Sequence, residues 1–150
     1  MVARQRRTIG SIVIIPIDDF FIHAQVLPEV DMVFFNTKGK TNLTPDEIVN
    51  TQVLFREAVN DDAIRDGRWL KAGKASISKE NSQPLPKFIQ DALNPTKFEI
   101  YVGGVIRSAK REECLNLQRC AVWAVNHIED RIRDYYNGMP NKWVEQMRIK

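Results

Sequence analysis

The stretch Ile12-Val13-Ile14-Ile15-Pro16-Ile17-Asp18-Asp19-Phe20-Phe21-Ile22-His23-Ala24-Gln25-Val26-Leu27-Pro28-Glu29-Val30-Asp31-Met32-Val33-Phe34-Phe35 carries the information about the fold. Ile12–Ile17 is short, apolar and β-branched, the composition of a strand. Asp18-Asp19 is a turn signal. From Phe20 to Leu27 the pattern alternates, with Phe21, His23 and Gln25 on one face and Phe20, Ile22, Ala24 and Val26 on the other. That period of two predicts a strand with one wet face. Pro28-Glu29 breaks the run, and Val30–Phe35 forms a third one, ended by Asn36-Thr37-Lys38-Gly39. Three short strands with tight connections predict an antiparallel meander, curved and approaching a small barrel.

The remaining segments add short helices and more strands. In Thr44-Pro45-Asp46-Glu47, Thr44 caps, Pro45 occupies the first helical position and Glu47 completes a capping box. Thr51–Val59 reads as a fourth strand, and Asn60-Asp61-Asp62 opens a helical turn through Arg65 that Gly67 closes. Residues 71–86, rich in Gly, Ser and Pro, read as a surface loop. Lys87–Ile89 and Lys97–Val102 are strand candidates, and Gly103-Gly104 predicts a hairpin into Val105–Arg107. Residues 110–123 fit neither period. Asn126–Asn137 is the clearest helix, with Asn126 as cap, an apolar stripe of Ile128, Ile132, Tyr135 and Tyr136, and Glu129–Arg133 in i,i+4 order. The class predicted is α+β, an antiparallel curved sheet with short helices and one C-terminal amphipathic helix.

A chain of 150 residues suits one domain over 1–150, with residues 1–8 as a basic, flexible arm. Hydrophobic residues at 43% and charged residues at 27% are ordinary globular usage and exclude a disordered chain. No stretch reaches the roughly 18 apolar residues of a membrane span. The apolar run Ile12–Ile15 is too short for a secretory signal, and Cys114 and Cys120 are too few for a disulfide framework. A cytoplasmic protein with reduced thiols is expected. The net charge of +3 conceals a split. Residues 11–66 hold four bases against ten acids, whereas residues 67–150 hold fifteen bases against nine acids. The two portions are candidates for different partners.

Chemical constellations are sparse. Cys114 or Cys120 with His127 is a candidate thiol–imidazole pair, and nothing flanking either cysteine lowers its pKa in an obvious way. Those three residues lack the tight spacing of a structural zinc site, so no metal and no cofactor are expected. Asp18-Asp19 and Asp61-Asp62 are paired carboxylates, but turns and helix caps favour Asp at both places. No glycine-rich phosphate-binding string occurs. The basic C-terminal half, with Tyr101, Trp123, Tyr135, Tyr136 and Trp143, is the raw material for a nucleic-acid-binding module, set against packing of the same aromatics in a core. Trp69 and Trp143 either anchor a partner or pin a loop and the C-terminal tail onto the core. An unrecognised hydrolase is the remaining alternative.

Several longer strings are informative as strings. They are Gly10-Ser11-Ile12-Val13-Ile14-Ile15-Pro16-Ile17, Ile64-Arg65-Asp66-Gly67-Arg68-Trp69 and Pro86-Lys87-Phe88-Ile89-Gln90-Asp91. Others lie nearer the C-terminus: Lys110-Arg111-Glu112-Glu113-Cys114, Arg119-Cys120-Ala121-Val122-Trp123, His127-Ile128-Glu129-Asp130-Arg131-Ile132-Arg133-Asp134 and Gly138-Met139-Pro140-Asn141-Lys142-Trp143-Val144-Glu145. In order and spacing, over roughly residues 9–147, they resemble the immunity protein 26 family of bacterial polymorphic toxin systems. The turn Asp18-Asp19-Phe20-Phe21 departs from the glycine-bearing turn of that pattern. The resemblance implies a non-enzymatic protein that binds and neutralises a cognate toxin domain by occluding its active or substrate site. Toxins of these systems are often nucleases, and some are delivered by contact-dependent inhibition. Neither a membrane nor direct nucleic-acid contact is implied. The resemblance supplies no set of binding residues. The charge split supplies one: Asp18, Asp19, Glu29, Asp31, Asp61, Asp62 and Asp66, with Trp69, are expected on a face that steers a basic partner.

Overall fold

The computed structural model describes residues 4–150. The first strands are β1 (Ser11–Ile17), β2 (Phe20–Val26) and β3 (Asp31–Phe35), followed by α1 (Pro45–Val49), β4 (Val53–Val59) and α2 (Asp62–Arg65). Next come β5 (Leu70–Lys74), β6 (Lys87–Gln90), β7 (Phe98–Val102), β8 (Val105–Ala109) and α3 (Arg111–Cys114). β9 (Gln118–Arg119), β10 (Val122–Trp123), α4 (Val125–Tyr136) and α5 (Lys142–Gln146) complete the chain.

The meander exists as expected, since β1, β2, β3 and β4 pair antiparallel in chain order. Asp18 turns the first hairpin at φ 49°, a left-handed conformation that Asp tolerates better than most side chains. The sheet extends at both sides. β5 adds antiparallel to β1 and β10 adds parallel to β4, giving the order β10-β4-β3-β2-β1-β5. A second sheet has the order β8-β7-β6-β9, with β9 parallel to β6 and the Gly103-Gly104 hairpin joining β7 to β8. The fold is therefore α+β with two mixed, open sheets. Neither closes into a barrel.

Both faces of the larger sheet are covered. On one, Val13, Ile15, Ile22, Met32 and Phe34 pack under α2, Trp69 and the Ile128–Ile132 stripe of α4. On the other, Ile12, Val33 and Phe35 pack under Ile48 of α1 and Ala75. Of the expected wet face of β2 only Phe21 is exposed, because His23 and Gln25 are buried. The backbone N–H of His23 donates to Thr37 Oγ1 at 2.9 Å, and its Nδ1 lies 2.9 Å from the same hydroxyl. Gln25 Nε2 donates to the carbonyl of Ala75 at 2.9 Å. Partners distant in sequence satisfy the His23 groups and the Gln25 amide N–H, whereas Gln25 Oε1 is buried with no hydrogen-bond donor among the described residues.

Other local expectations change for similar reasons. The capping box at Thr44 is present, with Thr44 N–H donating to Glu47 Oε1 at 2.9 Å. Part of the expected loop 71–86 is strand β5, which pairs with the edge of β1 although its own side chains are mostly exposed. The long helix begins at Val125 with Ala124 as its cap, so Asn126 lies inside it. Glu129 pairs with Arg68 and Trp69, and Arg133 with Asp18 and Asp130, so the expected Glu129–Arg133 pair is replaced by tertiary partners. Of the expected N-terminal arm, residues 1–3 lie outside the described residues, but Gln5 is tied down. Its Nε2 donates to the carbonyls of Ile64 and Trp69, both at 2.9 Å. Arg7 Nη2 donates to the carbonyls of Leu27 and Asp31 at 2.8 and 2.9 Å.

Candidate functional site

The second sheet has its own apolar cluster of Phe88, Phe98, Ile100 and Cys114, separate from the two clusters of the larger sheet. Charged side chains bridge the seam between the sheets. Asp31, at the start of β3, accepts from Arg56 Nη2 at 3.0 Å and from Lys87 Nζ of β6 at 2.7 Å. Glu57 of β4 accepts from Arg131 Nη1 of α4 at 2.8 Å and from Gln118 Nε2 of β9 at 3.0 Å. Burial pushes the Glu57 carboxyl above its ordinary range, against the pull of Arg131. Arg131 also lies over the rings of Phe55 and Trp123, 3.9 and 5.1 Å from their centroids.

This network redistributes the acidic set. Asp31 is 4% exposed and Trp69 is fully buried, so neither faces a partner. Asp31 is consumed by its two cations. Trp69 stacks edge-on to Phe34 and donates its indole N–H to Glu129 Oε2 at 3.2 Å, which makes it a core residue. Asp18 accepts from Arg133 Nε at 2.8 Å, and that guanidinium holds its carboxyl below the usual range. Asp61 and Asp62 both pair with Arg65, and Asp66 caps the Arg68 N–H at 2.9 Å. Asp19 and Glu29 are exposed.

The survivors form two groups. Asp18 and Asp19 occupy the β1–β2 turn, whereas Glu29 occupies the β2–β3 turn at the other end of β2. A strand of seven residues separates them, roughly 20 Å. Asp61 lies at that second end, near enough to Arg7 to bias its titration, as does Asp31. Glu29 lines a cavity of about 140 Å³ together with Arg56, Gln83, Leu85, Lys87 and Tyr101. The Tyr101 hydroxyl lies 3.3 Å from both Glu29 oxygens, and burial followed by the Glu29 charge pushes the phenol pKa up. The pairing of Asp31 with Lys87 was not legible in the sequence, because nothing local links positions so far apart.

Cys114 and His127 are not brought into one centre. Cys114 is in the core of the second sheet, and burial pushes its thiol up, which suppresses the nucleophilic thiolate. His127 stacks on Trp143 with ring centroids 3.5 Å apart. Among the described residues, no three His, Cys, Asp or Glu side chains gather to hold a metal ion. No helix among the described residues is long and apolar enough to cross a membrane.

No curated protein and no solved structure matches the chain. The family described as immunity protein 26 matches residues 8–99. The matched span runs from the approach to β1 through the first residues of β7, and the C-terminal strings from Lys110 onward fall outside it. With the meander, both turns that carry the exposed acids and the Asp31–Lys87 pair inside a match to more than half of its length, the chain belongs to the immunity protein 26 family.

Proposed function

We propose that this chain acts in the cytoplasm as a single unit that binds a cognate toxin domain and occludes its active or substrate site. Membership of an immunity-protein family is the observation that carries this reading. In the finer form of the proposal the toxin is a basic nuclease delivered by contact-dependent inhibition. Asp18, Asp19, Glu29, Asp61, Asp62 and Asp66, which remain at the surface, then steer it. About 800 Å² per partner is enough for a specific interface, and a fold of this size presents that area on any of its faces.

The nucleic-acid alternative draws little support from the second half of the chain. Lys87, Arg131 and Arg133 are tied to Asp31, Glu57 and Asp18, and Trp123 is buried. The test is to co-express the chain with the toxin domain encoded beside it. Co-purification and rescue of growth are expected, and continued toxicity with no complex overturns the reading. Reversing Asp61, Asp62 and Asp66 to Lys is expected to slow association at least about tenfold at low salt and to flatten its salt dependence. An unchanged association rate removes the steering role and leaves the binding intact.

A further inference from the structure

We infer that the groove between the two sheets, floored by the half-buried Leu117, Val144 and Met147 and edged by Arg119 and Arg148, receives a toxin segment that pairs a carboxylate with a large apolar side chain. The inference rests on the toxin-binding reading and names where its anchor sits. The groove encloses about 380 Å³, within the range of pockets that bury whole side chains. Glu57, Trp123 and Arg131 reach it from the larger sheet and α4, Phe88 and Arg119 from the second sheet, and Val144 and Met147 from α5 and the turn after it.

Charge selects the occupant. Arg119 is fixed by neutral acceptors: Nε donates to the Met147 carbonyl at 3.0 Å, and Nη2 to the Arg148 carbonyl at 2.9 Å and Gln90 Oε1 at 3.2 Å. Its guanidinium also lies over Phe88, 4.8 Å from the ring centroid. No carboxylate of the described residues forms a salt bridge with it, and burial lowers its pKa. The carboxylate inside the groove, Glu57, is already engaged by Arg131. At the rim, Leu115 is 55% exposed, an apolar contact without a cover. A cation held in place by carbonyls before its partner arrives loses little entropy on binding a carboxylate.

A second copy of the chain seated through the same patch would set arginines against arginines. A nucleic acid would find Phe88 and Trp123 already buried, with no open ring face for a base to stack on. A protein segment bearing Asp or Glu beside an apolar residue satisfies both the cation and the floor.

The test uses the full chain and the cognate toxin domain in calorimetric titrations, with Leu115→Glu, Arg148→Glu and the double variant. Both positions are solvent-exposed, so the variants should keep the parent's circular dichroism, and the melting temperature should fall by no more than the loss of the exposed Arg148–Glu145 pair allows. The double variant is expected to bind at least roughly 30-fold more weakly, the scale of losing one hot spot. Arg119→Gln is expected to weaken binding in the same direction. If the parent chain binds the toxin and the double variant binds within about threefold, the groove is not the anchor and the toxin-binding reading stands. If the parent chain does not bind the toxin at all, both fall. A parallel titration with single-stranded DNA overturns the proposal if that affinity, and not toxin affinity, responds to the variants. A shift in sedimentation showing that the parent self-associates and the double variant does not also overturns it.

Discussion

Replacing Asp31 by Asn keeps the shape of the side chain and removes its charge from a site where it faces two cations. Arg56, Lys87 and Asp31 have side chains only 12%, 6% and 6% exposed. The carboxylate accepts from Lys87 Nζ at 2.7 Å and from Arg56 Nε and Nη2 at 3.2 and 3.0 Å. With Asn the guanidinium and the ammonium keep their burial and lose the charge that offsets it. Breaking a buried pair in this way costs about 3–5 kcal/mol. Native domains are stable by only about 5–15 kcal/mol, so the variant should still fold with a much lower urea midpoint. For a chain of this length the loss corresponds to a melting temperature lower by roughly 6–20 °C. Urea titrations followed by far-ultraviolet circular dichroism give the value. Adding Lys87→Met removes one stranded cation and should return part of the loss, a coupling on the order of 1–3 kcal/mol in the double-mutant cycle. A cost for Asp31→Asn below about 1 kcal/mol, with no coupling to Lys87→Met, would show that water reaches the seam and refute the account of it as a buried ionic junction.

Three further outcomes are expected. Because burial raises the Glu57 pKa in the folded state, the native chain holds that proton over a window where the unfolded chain has released it. Its contribution is present below about pH 4.5 and lost as pH rises through the folded value, so urea midpoints of Glu57→Gln should decline less than those of the parent across that window. Burial lowers the His23 pKa, so its contribution is present above about pH 6.5 and lost as pH falls through the folded value. An NMR titration should place the His23 midpoint below 6.5, and a midpoint at or above that value contradicts the buried Thr37 contact. Gly73→Ala should destabilise by about 1 kcal/mol or more in thermal melts, since φ is 128° and a Cβ would approach Pro45 Cγ to 2.9 Å.

The parts of the fold that were legible are those set by neighbours in sequence. The β1–β2–β3–β4 meander follows from hydrophobic runs punctuated by Asp18-Asp19 and Pro28-Glu29, and the β7–β8 hairpin from Gly103-Gly104. The capping box at Thr44 is read directly from residue types and spacing. Distant partners decided the rest. His23 and Gln25 look solvent-facing until Thr37 and Ala75 are placed beside them. β5 is an edge strand whose Leu70 is exposed and whose remaining residues are Lys, Ala and Gly, so its pattern resembles a loop. The acidic first half and basic second half looked like two surfaces. In the fold they meet, as Asp18 with Arg133, Asp31 with Lys87 and Glu57 with Arg131. This removes Asp31 from the candidate site and reduces the free charge at Asp18.

The separation of the apolar clusters across the seam has a dynamic consequence. Hydrophobic cores that do not merge open as distinct cooperative units, each with its own free energy of exposure. The smaller cluster, under β6, β7 and β8, buries far fewer large side chains than the cluster under α4. Amide protons of β6 and β7 should therefore exchange through partial openings that leave β1, β2 and β3 protected. A molecule seated in the groove touches both units at once, and would slow exchange in strands it never contacts.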